Sequence, residues 1–190
     1  MIDFHGNKLV NLTDLLTNFS HGALVRVDLQ FEESNIRISD VLNLVLLLCS
    51  KQNFPVLRSL EVQAPNVYIN EQDVYQAFSI PQDCGIKDLQ LNLSDNKFSE
   101  IQLYNIILSF TNWHREVLGI ENFENPEVKL KTNLNLNRCE FLTTKVLTNL
   151  LNAELKNIQP GHSVLINARE TPTDPQAVRN FSQKSGVKFF

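Results

Sequence analysis

The sequence predicts an α/β fold in which short parallel strands and helices alternate in a repeating unit. One eight-residue pattern recurs along the chain. Its first, third and eighth positions are apolar, its sixth is small or polar, and the other positions vary. Its closest copies begin at Ile2, Leu91 and Leu134. A stretch with helical apolar periodicity follows each copy. Such repetition is typical of a solenoid, in which each unit packs only on its neighbours.

The spacing of the copies defines the units and shows one exception. The second apolar position recurs at intervals of 27, 31, 31, 43 and 30 residues. It is occupied by Phe4, Phe31, Val62, Leu93, Leu136 and Ile166. The longest interval predicts an irregular repeat or an insertion at about residues 113–133. The chain otherwise reads as a single domain over residues 1–190, with about six to seven repeats.

Each copy leads into a segment that opens with a residue able to cap a helix. Ser99 precedes one apolar stripe, and Thr143 precedes another. Asp174 and Pro175 open the last, with proline at the first helical position. Every unit is therefore predicted to run from strand through turn to helix.

The sixth position of the pattern points into the turn. Asn7 and Asn96 occupy it in two of the closest copies, and Cys139 occupies it in the third. An Asn there can bond backbone groups of the turn that lack other partners, so neighbouring units would stack through a polar ladder. Ser34 and Pro65 take this place in the weaker copies that begin at Leu29 and Leu60, and we expect irregular turns there.

These features resemble the ribonuclease-inhibitor-like class of leucine-rich repeats. The closest segment is Leu134-x-Leu136-x-x-Cys139-x-Phe141, followed by Thr143 and a helix to Leu155. The resemblance implies a horseshoe-shaped leucine-rich-repeat solenoid with a parallel concave sheet, convex helices and a concave binding face. The short, Asn-rich chain also resembles leucine-rich-repeat effectors of intracellular bacterial pathogens. That likeness implies an exported protein that acts on host proteins.

Composition argues against several classes of function. The net charge of −4 and the pI near 5.6 disfavour a nucleic-acid binder. The longest apolar run is too short to cross a membrane, and the first residues resemble no cleavable signal peptide. The three cysteines form no paired motif, which favours reduced thiols. We expect a cytoplasmic protein, or one exported without a cleavable signal, with no cofactor and no metal.

The residues between the inward apolar positions are the candidate binding surface, because side chains alternate along a strand. This row is acidic in its first half and rich in carboxamides in its second, so it favours a donor-rich or basic protein partner. A merely solvated sheet face is the alternative interpretation. The candidate binding residues are Asp3, Asp28, Gln30, Glu61, Gln63, Gln90, Asn92, Asn135 and Asn137.

Trp113, His114 and Arg115 form a second candidate, as an exposed loop hot spot after the fourth helix. Packing of Trp113 in the core is the competing interpretation. The tail 187–190 is expected to cap the last unit by folding over its apolar side, or else to be an exposed anchor. No aromatic anchor is expected within the strand row itself.

Two other functions are compatible with the sequence. The chain could form a structural homodimer through an exposed N-terminal edge strand that starts at Ile2. It could also be a hydrolase that uses the aligned carboxylates of Asp3, Asp28 and Glu61. The sequence offers no matching nucleophile, so a non-catalytic protein-interaction module is the favoured function.

Overall fold

A computed structural model describes most of the chain. The residues outside the description are most of the first unit and parts of four later connections. Side chains are not described at residues 2–3, 113–121 and 163. The described residues are 2–3, 24–31, 36–67, 69, 84–121, 131–152 and 163–190.

The described strands form one parallel sheet in which spatial order follows chain order. The prediction of consecutive parallel strands in an α/β fold is confirmed. The strands are β1 (Ile2–Asp3), β2 (Arg26–Gln30), β3 (Ser59–Gln63), β4 (Asp88–Asn92), β5 (Lys131–Asn135), β6 (Ser163–Asn167) and β7 (Lys188–Phe189).

Helices cover one face of this sheet. Inward strand residues such as Leu60 and Leu91 share a continuous buried core with helix residues such as Val45 and Ile106. Alternate strand residues therefore face away from the helices. The described helices are α1 (Ile38–Cys49), α2 (Glu100–Glu121), α3 (Thr144–Asn152) and α4 (Pro175–Ser185).

The helix starts agree with the predicted caps at two places and differ at a third. The Ser99 and Gln102 side chains each accept from the other's backbone N–H, which forms a capping box. Asp174 caps α4, and Pro175 stands at its first position. The residue before α1 is Arg37, which makes no side-chain cap, so the predicted cap of that helix is wrong.

The strand register corrects the alignment of two weak repeats. Val62 lies opposite Leu91, and Ile166 lies opposite Leu134. The pattern in these units therefore begins at Val62 and Ile166, two residues later than the predicted starts at Leu60 and Val164. The error arose because each strand carries two inward apolar residues before its turn, and either can match the first position.

In the corrected register, a residue with positive φ occupies the same position of the pattern in four units. A non-glycine residue with positive φ stands four positions after the aligned apolar residue in each of them. These residues are Asn66 (51°), Asp95 (62°), Arg138 (56°) and Glu170 (56°). Left-handed backbone is uncommon outside glycine, so its recurrence shows that one turn geometry is repeated.

The same turn is kept in the unit with Pro65, contrary to the expected irregularity. Pro65 occupies the fourth position rather than the sixth, so its missing N–H does not fall in the ladder. Val67 occupies the sixth position, and its N–H bonds Asn96 Oδ1 at 2.8 Å. Ser34 lies outside the described residues.

Asn96 confirms the role predicted for the sixth position. Its side chain is 1% exposed. Its Nδ2 donates to the carbonyls of Ala64 and Leu93, both at 2.9 Å, and Oδ1 accepts from Val67 N–H. One carboxamide thus joins the turns of two neighbouring units.

Smaller groups take the equivalent place further along the chain. The buried Cys139 Sγ lies 3.5 Å from the carbonyl oxygen of Leu93 in the preceding unit. Thr171 Oγ1 donates to Ala168 O at 2.7 Å within its own turn. Burial raises the pKa of the Cys139 thiol to about 12. The ladder of sixth-position residues therefore continues through Cys139 and Thr171, each of which makes fewer hydrogen bonds than Asn96.

One further prediction in the later units is corrected, and one is confirmed. Phe141 is 48% exposed, and the adjacent Leu142 fills the core instead. The tail caps the last unit, as expected: it adds strand β7, which pairs with β6, and it buries Val187. Within it Phe189 packs edge-on against Phe181, with ring centroids 5.3 Å apart.

Replacing Asn96 with Ala should lower the free energy of unfolding by about 3 kcal/mol, because buried backbone groups in two turns lose their partners. Urea denaturation measures the change. Asn133→Ala is the matched control, since that side chain is exposed, and it should stay within about 0.5 kcal/mol of wild type. An equal loss of unfolding free energy in the two variants would show that Asn96 does not stabilise the turns.

Alkaline pH should test the burial of Cys139. Its thiol stays protonated in the folded protein to a pKa of about 12, whereas an ordinary thiol ionises near 9.0. The raised folded pKa gives stability that is present below pH 9 and is lost as pH rises toward 12. The stability difference between wild type and Cys139→Ala should therefore fall by about 1.4 kcal/mol from pH 8 to pH 10. A pH-independent difference in urea denaturation would show that the thiol ionises freely.

Candidate functional site: the polar strand face

The strand residues that point away from the helices form what we call the polar strand face. Burial alternates along β2, β3 and β4, as predicted from the sequence. Its described side chains are Arg26, Asp28, Gln30, Ser59, Glu61, Gln63, Asp88, Gln90, Asn92, Lys131, Asn133, Asn135, Leu165, Asn167, Lys188 and Phe190.

The strand register orders the predicted binding residues into rows across the sheet. One row runs from Asp28 through Glu61 to Gln90. A second row is made almost wholly of carboxamides. It contains Asp3, Gln30, Gln63, Asn92, Asn135 and Asn167. Asp3 has the predicted strand position, and its side chain lies outside the described residues.

The first half of the face is held together by its own hydrogen bonds. Arg26 Nε bonds Asp28 Oδ1 at 2.8 Å, and its Nη2 bonds Glu61 Oε2 at 3.0 Å. Glu61 also accepts from Gln63 at 2.9 Å, and Gln63 accepts from Asn92 at 2.7 Å. Hydrogen bonding to Asp28 raises the pKa of Arg26. These side chains are engaged before any partner arrives.

The described part of the face is balanced in charge rather than acidic. Its acids cluster in the first half, where Arg26 neutralises two of them. Lys131 and Lys188 lie in the second half, are exposed, and form no ion pair within the described residues. The charged residues are Arg26, Lys131 and Lys188 against Asp28, Glu61 and Asp88.

The second half of the face keeps polar groups without internal partners. The Asn133 side chain is exposed and makes no hydrogen bond within the described residues. Asn135 Oδ1 accepts from Asn137 N–H at 3.1 Å, while its Nδ2 donates to no described group. Asn167 Oδ1 is buried, and the described residues supply it no donor. A buried acceptor without a donor raises the free energy of the folded state.

This half also carries the apolar groups of the face. Leu165 is partly exposed beside Asn133, and Phe190 is 56% exposed. Phe190 N–H bonds Ile166 O, and Phe190 O accepts from Ala168 N–H, which places the ring beside Asn167. The expectation that no aromatic anchor belongs to the row is therefore wrong. The alternation of apolar Val187, charged Lys188 and apolar Phe189 is the sequence pattern that indicates strand β7.

Asn137 has a structural task beyond the strand end. It lies in the turn after β5, and its Oδ1 accepts from Arg169 N–H at 2.9 Å. Beside it, Arg138 Nη2 bonds Asp95 Oδ2 at 2.7 Å, and this hydrogen bond lowers the pKa of Asp95. Asn137 was predicted as a binding residue, but it joins neighbouring turns.

The second candidate site lies in a different element from the one expected. Helix α2 continues to Glu121, so Trp113, His114 and Arg115 are helical and do not form a loop. The irregular segment predicted at about 113–133 is thus helical to residue 121 and strand from Lys131, and residues 122–130 lie outside the description. Whether Trp113 is a hot spot stays a prediction.

A groove of about 360 Å³ between α2 and α3 was missed by the sequence analysis. Glu100 Oε2 bonds Lys145 Nζ at 2.7 Å on its wall, and this hydrogen bond lowers the pKa of Glu100. Ile101, predicted to face inward, is 57% exposed here. Because the charges of this wall pair with each other, the groove presents mainly apolar surface.

The described residues contain no group of three His, Cys, Asp or Glu side chains that could hold a metal ion. Cys49, Cys84 and Cys139 are buried free thiols. In the described part of the chain, no helix has both the length and the apolar character needed to cross a membrane.

Comparison with known proteins gives this surface no precedent. The chain has no significant match to a family model, a curated protein or a solved structure. The resemblance to leucine-rich repeats therefore rests on the residues and geometry of this chain alone.

Proposed function

We propose that this chain is a leucine-rich-repeat protein of the ribonuclease-inhibitor-like type, with six to seven units, and a non-catalytic module that binds another protein. The consecutive parallel strands, the left-handed residue in four successive turns and the bonding of Asn96 support the repeat class.

The observation that carries the binding role is the composition of the polar strand face. Its aligned carboxamides offer donors and acceptors at the strand spacing of about 4.8 Å. Leu165 and Phe190 add the apolar contacts that dominate many interfaces. A face that is only solvated would not need a partly exposed Leu and an exposed Phe beside groups that lack partners.

The alternative functions find less support. Arg26 bridges Asp28 and Glu61, so two of the three carboxylates proposed for a hydrolase are already paired with a cation. Pairing of two chains through β1, and action as an exported effector on host proteins, stay predictions. The binding proposal requires neither of them.

Glutamate substitutions at the centre of the face test the binding role. Gln90→Glu with Asn133→Glu places two negative charges where a partner would lie, and recovery of specific partners from a native lysate should fall about tenfold. Quantitative mass spectrometry of captured proteins measures the loss. Asn152→Glu with Gln183→Glu adds the same charge at exposed helix positions and is the matched control. Equal recovery by wild type and both variants would rule out the polar strand face as the binding surface.

A further inference from the structure

We infer that the second half of the polar strand face binds an extended acidic segment of a partner protein. That segment carries two carboxylates with one apolar side chain between them. This inference rests on the proposed binding function and names the chemistry of its partner. It reverses the charge expected from the sequence, which favoured a basic partner for an acidic row.

The two halves of the face differ in how far their groups are already paired. In the first half, Arg26 holds Asp28 and Glu61, and Gln63 links them to Asn92. A basic partner would have to displace Arg26 from both acids, and exposed ion-pair exchange of this kind gains little. Asp28 and Glu61 are therefore poor sites for a cation, and the third acid, Asp88, accepts a hydrogen bond from Gln90 Nε2 at 3.5 Å.

In the second half, the charges that await a partner are positive. Lys131 and Lys188 are exposed and form no ion pair within the described residues, with Leu165 between them. Asp88 lies opposite Lys131 on β4 without an ion pair between the two charges, so Lys188 is the lysine with no acid opposite it on the described strands. From the strand spacing and the rise per residue, the Cα atoms of the two lysines lie about 12 Å apart. An extended segment covers that distance in about three to four residues, which fixes the spacing of its two carboxylates.

The apolar and amide groups of the second half of the face also fit such a segment. Leu165 and Phe190 offer a contact for one apolar side chain. Asn133 and Asn135 retain amide groups with no partner in the described chain, and these can bond the backbone of the segment. Rotation of the Asn167 side chain toward a partner N–H would also satisfy its buried oxygen.

A random library of twelve-residue peptides displayed on phage and selected on the full chain tests the partner chemistry. The enriched sequences should carry Asp or Glu three or four positions apart with Leu, Ile or Phe between them. Fluorescence anisotropy of the best peptide should show affinity about tenfold weaker for Lys131→Ser with Lys188→Ser, and also for Leu165→Ser. Lys97→Ser with Lys184→Ser removes two exposed lysines outside the polar strand face; it is the matched control and should change affinity less than twofold. Asp28→Asn with Glu61→Gln tests whether a peptide binds the acidic half instead. Thermal unfolding confirms that each variant folds.

The outcomes separate this inference from the proposed function. Basic peptides whose binding depends on Asp28 and Glu61 would overturn the acidic partner and leave the polar strand face as a binding surface. Peptides insensitive to every face variant, or no enriched peptide, would overturn both.

Discussion

The turn that is repeated after strands β3 to β6 is the constraint on which the rest of the described structure depends. Its left-handed residue turns the chain out of the sheet, and the next residue lies among backbone groups that the sheet does not pair. Asn96 satisfies these groups in two units at once. Because the turns are alike, successive strands arrive in one register, and their outward residues fall into rows.

The rows create the candidate site, and internal pairing decides how each part of it can act. Six charged residues of the face cancel in sum but are unevenly arranged. One arginine occupies two acids at one end, while two lysines at the other end have no described partner. The net charge of the chain therefore says little about the partner, because binding depends on which groups remain available.

The sequence predicted the class of the fold and the outward strand positions, because both follow from apolar periodicity. It placed Val62 and Ile166 at the wrong pattern position, since register depends on neighbouring strands. It also put Phe141 inside, although the structure buries Leu142. The pairing of Arg26 with Asp28 and Glu61 could not be predicted, because side-chain partners across strands depend on the assembled sheet.

Hydrogen–deuterium exchange of the chain, with and without a partner recovered by capture, tests the central claim most directly. The account predicts slower exchange on binding in β5, β6 and the segment 187–190, with little change in the backbone of α3 and α4. Protection confined to α2 and α3, around the groove beside Ile101, would contradict it and move the binding surface to the helical side.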